Sequence, residues 1–343
     1  MPVPSASFFV RFREGLGRVG LDGFFLALLG VVGLAYLRPD WGNEASPLPL
    51  DAVASYGVSL IFFFYGLRLS REKLRAGLRN GWLHALTQAT TFLLFPLLAL
   101  AVRPFFGNET GGTIWLGIFF LAALPSTVSS SVVMVSLARG NLPAAIFNAS
   151  ISSLVGILLT PLWVGAVMAV GSASLPFWGM VGDLALRVAL PVAVGMALNP
   201  RLGTWAGRYQ NELRIFDQSI ILLTIYTSFC ESFSEGVFGG YGAGTLLALS
   251  AGMLGLFFAV FALVNFIGRF LRFPTEDRIT ALFCGSKKSL IHGTVMAQVL
   301  FAGNPLTGVL LLPLMIYHAL QLLAGSALAK AMGRRETVPV RPA

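Results

Sequence analysis

Charged residues are scarce in this chain of 343 residues: they make up 11% of the sequence, whereas 56% of the residues are hydrophobic. A soluble domain usually contains about 25% charged residues. A surface in contact with water needs more polar groups than this composition supplies. The composition therefore excludes an ordinary soluble protein and predicts an integral, multi-pass membrane protein.

Cysteine and histidine are also rare, with two cysteines and three histidines in the whole sequence. Cys230 and Cys284 both lie in apolar segments, so they provide neither a disulfide framework nor the spacing of a metal site. No oxyanion-hole motif accompanies the serines Ser286 and Ser289, which flank two lysines in the manner of a Ser–Lys nucleophile. We therefore expect no enzymatic activity and no resident cofactor.

Ten apolar segments are long enough to cross a bilayer, which takes about 20 residues. They lie roughly at 20–37, 50–68, 81–102, 113–138, 142–168, 177–198, 214–234, 242–268, 276–301 and 304–329. The connections between them are short, which predicts a single transmembrane domain, all α-helical, with a basic C-terminal tail at 330–343.

The orientation follows from where the 24 Lys and Arg residues lie. Nearly all of them lie in alternate connections, and outside the spans only Arg38 and Arg103 lie on the other side. Because positive residues concentrate on the cytoplasmic side, both termini should be cytoplasmic, in the inner (plasma) membrane if the chain is bacterial. The net charge of +9 is thus first a topology signal, with membrane lipid as a partner and no nucleic acid.

The spans form two halves with the same layout, at about 20–168 and 177–329, offset by about 160 residues. Five is an odd number, so the second half must cross the membrane in the opposite sense. Inverted repeats of this kind are typical of secondary transporters.

The fourth member of each half is interrupted by polar and helix-breaking residues, at 124–131 and at 284–289. Proline removes a backbone donor, and serine competes for backbone hydrogen bonds. Interruptions at matching positions point to a binding site in the middle of the membrane, although two ordinary kinked helices are the alternative.

The second interruption contains the adjacent lysines Lys287 and Lys288. A lysine at the centre of a bilayer costs about 2.5–3.5 kcal/mol on insertion scales, so the pair indicates function. Three interpretations remain open. The pair binds an anionic substrate with help from helix N-termini; one lysine loses its proton through burial and cycles it; or both are structural and donate to carbonyls in place of a bound cation.

Polar residues within the other spans are further candidates for an ion or substrate site: Gln88, Ser129, Ser130, Ser131, Asn148 and Glu231. The serine cluster is also what a close-packed helix crossing would contain. Gln88 and Asn148 would serve equally well as bonds between helices, and Glu231 either lines the mouth of a pathway or faces water.

Eight stretches, in order along nearly the whole chain, carry a resemblance to a known family: 61–70, 129–134, 144–150, 157–162, 225–234, 283–290, 299–303 and 316–321. Here the chain resembles the bile acid:sodium symporter family, solute carrier family 10, and most closely its seventh-member branch with its bacterial relatives. The resemblance implies ten transmembrane helices in two inverted five-helix repeats. Spans three to five and eight to ten would form a core domain beside a panel domain, with broken helices four and nine crossing.

The resemblance also implies a site. It places Na+ ligands at Gln88, Ser130, Ser131 and Asn148, with Ser152 beside them and His318 near the substrate cavity. The second interruption adds Ser286, Lys287, Lys288 and Ser289 as candidates for the ion or substrate site. Phe283 stands where the family has an acidic ligand, and the two lysines stand where it has an amide pair. A fixed positive charge there would repel Na+.

These observations predict a secondary active transporter that couples Na+ or H+ to the symport of a small organic anion. Bile acid itself is not expected, because the seventh-member branch is not expected to carry it. The alternative is a membrane regulator of ion (calcium) homeostasis with little transport of its own.

Overall fold

A computed structural model describes residues 23–43, 46–68, 80–107, 109–171 and 185–334. The described residues are helical, without strands. Their α-helices are α1 (Gly23–Leu37), α2 (Leu50–Leu67), α3 (Gly81–Ala89), α4 (Phe95–Ala101), α5 (Glu109–Ala123), α6 (Ser129–Leu137), α7 (Leu142–Gly171), α8 (Leu190–Arg208), α9 (Gln210–Ser234), α10 (Ala243–Phe270), α11 (Thr275–Gly285), α12 (Leu290–Leu300) and α13 (Thr307–Gly333). Two π-helical segments, Thr90–Leu94 and Ala185–Ala189, join α3 to α4 and precede α8, and short 3-10 turns lie at Pro39–Trp41, Arg103–Phe105 and Val237–Gly240.

Six helical stretches of the described part are long and apolar enough to cross a membrane. They are Leu50–Leu67, Gly81–Phe105, Leu142–Met168, Gln210–Ser234, Ala243–Phe270 and Thr307–Gly333, and Leu26–Leu37 and Gly111–Ala123 are shorter apolar helices. The sequence predicted ten spans. Those at 20–37 and 177–198 begin outside the described residues. Of the predicted tail at 330–343, residues 335–343 also lie outside them, and Lys330 belongs to helix α13.

The predicted spans at 113–138 and 276–301 each consist of two shorter helices, α5 with α6 and α11 with α12. Helix α5 ends just before Pro125, because a proline disfavours helical geometry at the preceding residue and has no N–H to donate. Helix α12 begins after Ser289, whose hydroxyl accepts a hydrogen bond from His292 N at 3.2 Å and caps the new helix.

The helices pack in two groups. Helices α2, α8 and α9 contact one another, and α1 packs on α9. Helix α13 contacts α5, α6, α10 and α12, and α11 contacts α3, α6, α7 and α10. The two groups meet where α9 lies against α12 and α13 and where α2 lies against α12. Within the first group, Arg68 pairs with Asp217 at 2.8 Å and links α2 to α9.

Glycines allow α2 and α8 to approach each other closely. A Cβ atom added at Gly66 would lie 2.2 Å from Val192 O, and one added at Gly195 would lie 2.2 Å from Phe63 O. Neither backbone atom can move away without shifting a whole helix, so only glycine fits at these two positions.

Gly195→Ala should therefore destabilise the protein, by about 1–3 kcal/mol for an overpacked contact. The midpoint of thermal unfolding in detergent measures the change. Gly207→Ala on the same helix is the matched control, because no atom lies within 4 Å of an added Cβ there. Equal midpoints for the two variants would contradict the close packing.

Candidate functional site

The non-helical segments at 124–128 and 286–289 meet inside the second group of helices. Ser289 N donates to Pro125 O at 3.0 Å, which joins the two segments directly. Every residue from Ala281 to Leu290 is buried. Backbone N–H and C=O groups that lose their helical partners in a buried place must form hydrogen bonds with other groups of the protein. The groups that form these bonds therefore define the site.

The end of α5 leaves backbone carbonyls without helical donors. The N–H of Ser126 would normally donate to Ala122 O, but it donates to Ser152 Oγ at 2.9 Å. The carbonyl of Ala123 accepts from Thr160 Oγ1 at 2.7 Å, so helix α7 supplies one of the missing donors. The carbonyls of Ala122 and Leu124 still need a donor from elsewhere.

Lys288 supplies that donor. Its Nζ atom donates to Ala122 O at 2.6 Å, to Leu124 O at 2.8 Å and to Thr91 O at 2.8 Å. The same atom lies 4.1 Å from the ring centroid of Phe95. The side chain is fully buried, and the three carbonyls match the three N–H bonds of an ammonium group.

The third carbonyl, that of Thr91, is available because of the π-helical segment. Phe95 N donates to Thr90 O, five residues back, and the next residue, Pro96, has no N–H. Thr91 O therefore has no backbone donor in its own helix. The residues from Thr90 to Pro96 thus provide one acceptor of the lysine site independently of the lysine.

Helix α13 holds the segment that carries the lysines. Gln321 Oε1 accepts from Lys288 N at 2.8 Å, and Gln321 Nε2 donates to Lys288 O at 2.7 Å. One turn earlier, Tyr317 Oη donates to Ser286 O at 2.6 Å. His318 is half-buried and contacts the same glutamine, with 3.1 Å between His318 Nδ1 and Gln321 Nε2. The predicted histidine thus lies beside the site and contacts Gln321, which holds the backbone of Lys288.

Lys287 has a different environment. It is also fully buried, but among the described residues the one oxygen within reach of its Nζ atom is Ser130 O, at 3.3 Å. The amine also contacts the sulfur of Met134, which is a weak acceptor, one turn further along α6. Among the described residues, the two adjacent lysines are therefore not equivalent: Lys288 has three strong acceptors, and Lys287 has one.

The predicted hydroxyl cluster forms around Thr127. Its Oγ1 atom lies 2.6 Å from Ser130 Oγ and 3.0 Å from Ser131 Oγ. The side chain of Ser129 lies outside the described residues. The structure thus joins Ser130 and Ser131 through a threonine that the sequence reasoning did not select, next to the carbonyl that contacts Lys287.

The predicted amides also meet. Gln88 Nε2 donates to Asn148 O at 3.2 Å and to Asn148 Oδ1 at 3.3 Å, while Gln88 Oε1 is buried and has no partner among the described residues. Neutral oxygens of this kind are ligands that Na+ accepts. The donor set includes no carboxylate, and Ser152 is already engaged with the backbone of Ser126.

The hydroxyl groups of the two serines beside the lysines, Ser286 and Ser289, form hydrogen bonds with backbone groups at helix ends. Ser286 Oγ donates to Leu282 O at 2.6 Å at the end of α11. Ser289 Oγ lies 2.9 Å from His292 Nδ1 as well as capping α12. Both hydroxyls thus complete helix ends, which is the reason that serine suits these two positions.

Glu231 lies elsewhere. It lines a small polar cavity of about 60 Å³ together with Asp51, Gln298 and Asn304. Asp51 Oδ1 accepts from Gln298 Nε2 at 2.6 Å across this cavity, between α2 and α12. The structure therefore separates Glu231 from the lysine site, although the sequence placed both in one list of candidates.

Besides Thr127, sequence reasoning missed three groups that shape the lysine site, which are Tyr317, Gln321 and the carbonyl of Thr91. A signal for the first two exists, since Tyr317 and Gln321 are polar residues four apart within an apolar helix and hence on one face. The carbonyl of Thr91 is free because Phe95 N donates to Thr90 O, one residue earlier than in an α-helix. In the sequence, only Pro96 indicates this change.

Gln321→Leu should destabilise the protein strongly, because it leaves the buried N–H and C=O of Lys288 without partners. Each unpaired buried group costs about 1–3 kcal/mol. The control is Leu320→Met on the same helix, a volume-conserving change that costs less than about 1.5 kcal/mol. Thermal unfolding in detergent compares them, and a Gln321→Leu variant as stable as the control would contradict the assigned role.

Comparisons with known proteins agree with the family resemblance. The sequence profile of the SBF-like CPA transporter family matches residues 22–334. The putative symporter YfeH of Escherichia coli K12 is 37% identical over 315 residues, which cover 92% of this chain and 94% of that protein. Sodium/bile acid cotransporter 7 of Rattus norvegicus is 31% identical over 317 residues, with 91% and 93% covered. The uncharacterized protein PA2026 of Pseudomonas aeruginosa is 40% identical over 314 residues, with 92% and 93% covered. The predicted resemblance is thus confirmed, and the chain belongs to the SBF-like CPA transporter family as an integral, multi-pass membrane transporter and not an enzyme.

Proposed function

We propose that this protein is a secondary active transporter that moves a small organic anion by coupling it to a gradient of Na+ or H+. The observation that carries the proposal is the pair of buried amines where the two non-helical segments meet. Buried lysines at membrane depth usually mark a solute or ion pathway.

The charge of the site favours an anionic substrate. In the described residues, the one ion pair is that of Arg68 with Asp217, so neither lysine pairs with a carboxylate. Lys288 distributes its charge over three carbonyls, whereas the Nζ atom of Lys287 reaches one carbonyl oxygen of the described part, at 3.3 Å. A carboxylate, sulfate or phosphate group on the substrate would complete the shell of Lys287.

The site also has the hydrogen-bond donors that an anion needs. Helix α6 begins at Ser129 without a side-chain cap, so its first N–H groups remain available. The N-terminus of a helix carries partial positive charge and favours anions. Lys287 lies against the first turns of this helix, where its Nζ atom donates to Ser130 O, so an anion that binds Lys287 would lie near the N-terminal half of α6.

The proposed architecture has ten spans in two inverted five-helix repeats, with α5–α6 and α11–α12 as the matching broken helices. The grouping of α1, α2, α8 and α9 supports a panel domain, and the remaining helices would form the core. Transport would move core against panel, by rocking or by an elevator motion. Both termini would be cytoplasmic, with membrane lipid against the exposed apolar residues of α10, such as Leu247 and Phe270.

The coupling ion is assigned as a class, Na+ or H+. Two relatives carry the names putative symporter and sodium/bile acid cotransporter 7, which supports symport. Gln88, Asn148, Ser130 and Ser131 would be the Na+ ligands if Na+ is used. Bile acid is not proposed as the substrate.

Uptake into proteoliposomes tests the proposal. The purified chain is reconstituted, a Na+ or a pH gradient is imposed, and accumulation of labelled small carboxylates, sulfates and phosphates is measured. We expect at least one anion to accumulate under at least one gradient. If none accumulates under either, the transport proposal fails in favour of a membrane regulator of ion (calcium) homeostasis.

Lys287→Met should abolish most of this uptake while the protein still folds, because the variant loses a charge without losing volume. A hydrogen bond to a charged group is worth about 1.5–3 kcal/mol, which corresponds to at least a ten-fold loss. Lys330→Met, at the exposed end of α13, is the control and should transport normally. Normal uptake by a folded Lys287→Met variant would refute the assignment of Lys287.

A further inference from the structure

We propose that the carbonyl oxygens of Thr91, Ala122 and Leu124 form a binding site for a monovalent cation, which Lys288 fills as a tethered ammonium ion. These three oxygens are called the carbonyl cage below. The inference concerns the cage itself, so it stands whether or not the proposed transport is correct.

The cage has the chemistry of a cation site. Three carbonyl oxygens surround one nitrogen at 2.6 to 2.8 Å, and the Phe95 ring faces it with its centroid at 4.1 Å. Rings of backbone carbonyls replace the hydration shell of monovalent cations in other membrane proteins. The face of an aromatic ring attracts a cation as well.

The backbone, and not the lysine, creates the cage. Pro96 and Pro125 lack N–H groups, and the N–H of Ser126 donates to Ser152 Oγ. The last carbonyls of α5 also carry the negative end of the helix dipole. Without the ammonium, three carbonyl oxygens would remain turned toward one buried point, which is an unfavourable arrangement unless another cation enters.

The shape of the lysine side chain indicates which ligand would enter. Methionine has about the same reach as the lysine stem up to Cε, so Lys288→Met removes chiefly the Nζ atom. The space left is the size of one small cation bounded by three oxygens. Ammonium ion reproduces the N–H···O contacts directly, and K+ or Na+ would replace them by ion–dipole contacts.

The proposal has a consequence for transport, which rests on the proposed function. A cation that is covalently attached to α11–α12 cannot leave the site, so the carbonyl cage exchanges no ion with either side of the membrane. The coupling ion must then bind elsewhere, and the cage stays neutralised throughout the transport cycle.

The test compares thermal unfolding of the detergent-purified full-length chain in ammonium, potassium, sodium and choline chloride at equal ionic strength. Lys288→Met should unfold at a lower temperature than the parent in choline chloride. Ammonium, and to some extent K+ or Na+, should raise that midpoint progressively with the logarithm of concentration, as expected for a ligand of the folded state. The parent chain should show no such difference between salts.

Lys287→Met is the matched control, because it removes the neighbouring buried amine but leaves the carbonyl cage filled. Equal midpoints of Lys288→Met in all four salts would overturn the proposal, as would an equal salt response of Lys287→Met. If Lys288→Met aggregates in choline chloride, it is extracted in each salt in turn. Recovery of monodisperse protein with ammonium or a metal cation supports the cage, and aggregation in every salt overturns it. None of these readouts requires transport, so a failure here is distinct from a failure of uptake.

Discussion

The arrangement at the centre of this protein follows from one constraint: a backbone carbonyl released from its helix inside an apolar interior must find a donor. The end of α5 and the π-helical segment before α4 release several such carbonyls close together. Lys288 collects three of them with one ammonium group, and Thr160 takes another. The side chains of Gln321 and Tyr317 in α13 form hydrogen bonds with the backbone of the segment that carries the lysine.

Because of this constraint, the two lysines have different environments. Lys288 is saturated by carbonyls and stabilises the contact between the two non-helical segments, so it has the character of a structural ion. Lys287 is equally buried, but in the described part of the chain its Nζ atom reaches one carbonyl oxygen, at 3.3 Å, and it is therefore the proposed contact for a substrate anion. In the proposed transporter, Lys288 would keep the interior intact while Lys287 contacts the substrate.

Residue types alone predicted much of this fold and part of the site. Pro125 and the stretch from Gly285 to Ser289 indicated where helices would end, because proline and serine disrupt helical hydrogen bonding wherever they occur. The hydroxyl cluster and the pairing of polar residues in neighbouring spans were predicted as candidates. Glu231 was expected either to line the mouth of a pathway or to face water, and it lines a separate cavity; which spans lie beside it is invisible in a linear pattern.

The sequence by itself determined that the chain is a membrane protein, which family it resembles and where its helices are interrupted, since composition, motifs and helix breakers act locally. Only the tertiary structure decided which lysine has three carbonyl acceptors and which, among the described residues, has one. That distinction depends on carbonyls contributed by residues roughly 160 to 200 positions away, at Thr91, Ala122 and Leu124. Packing brings these oxygens to one point, and no local pattern records that they converge there.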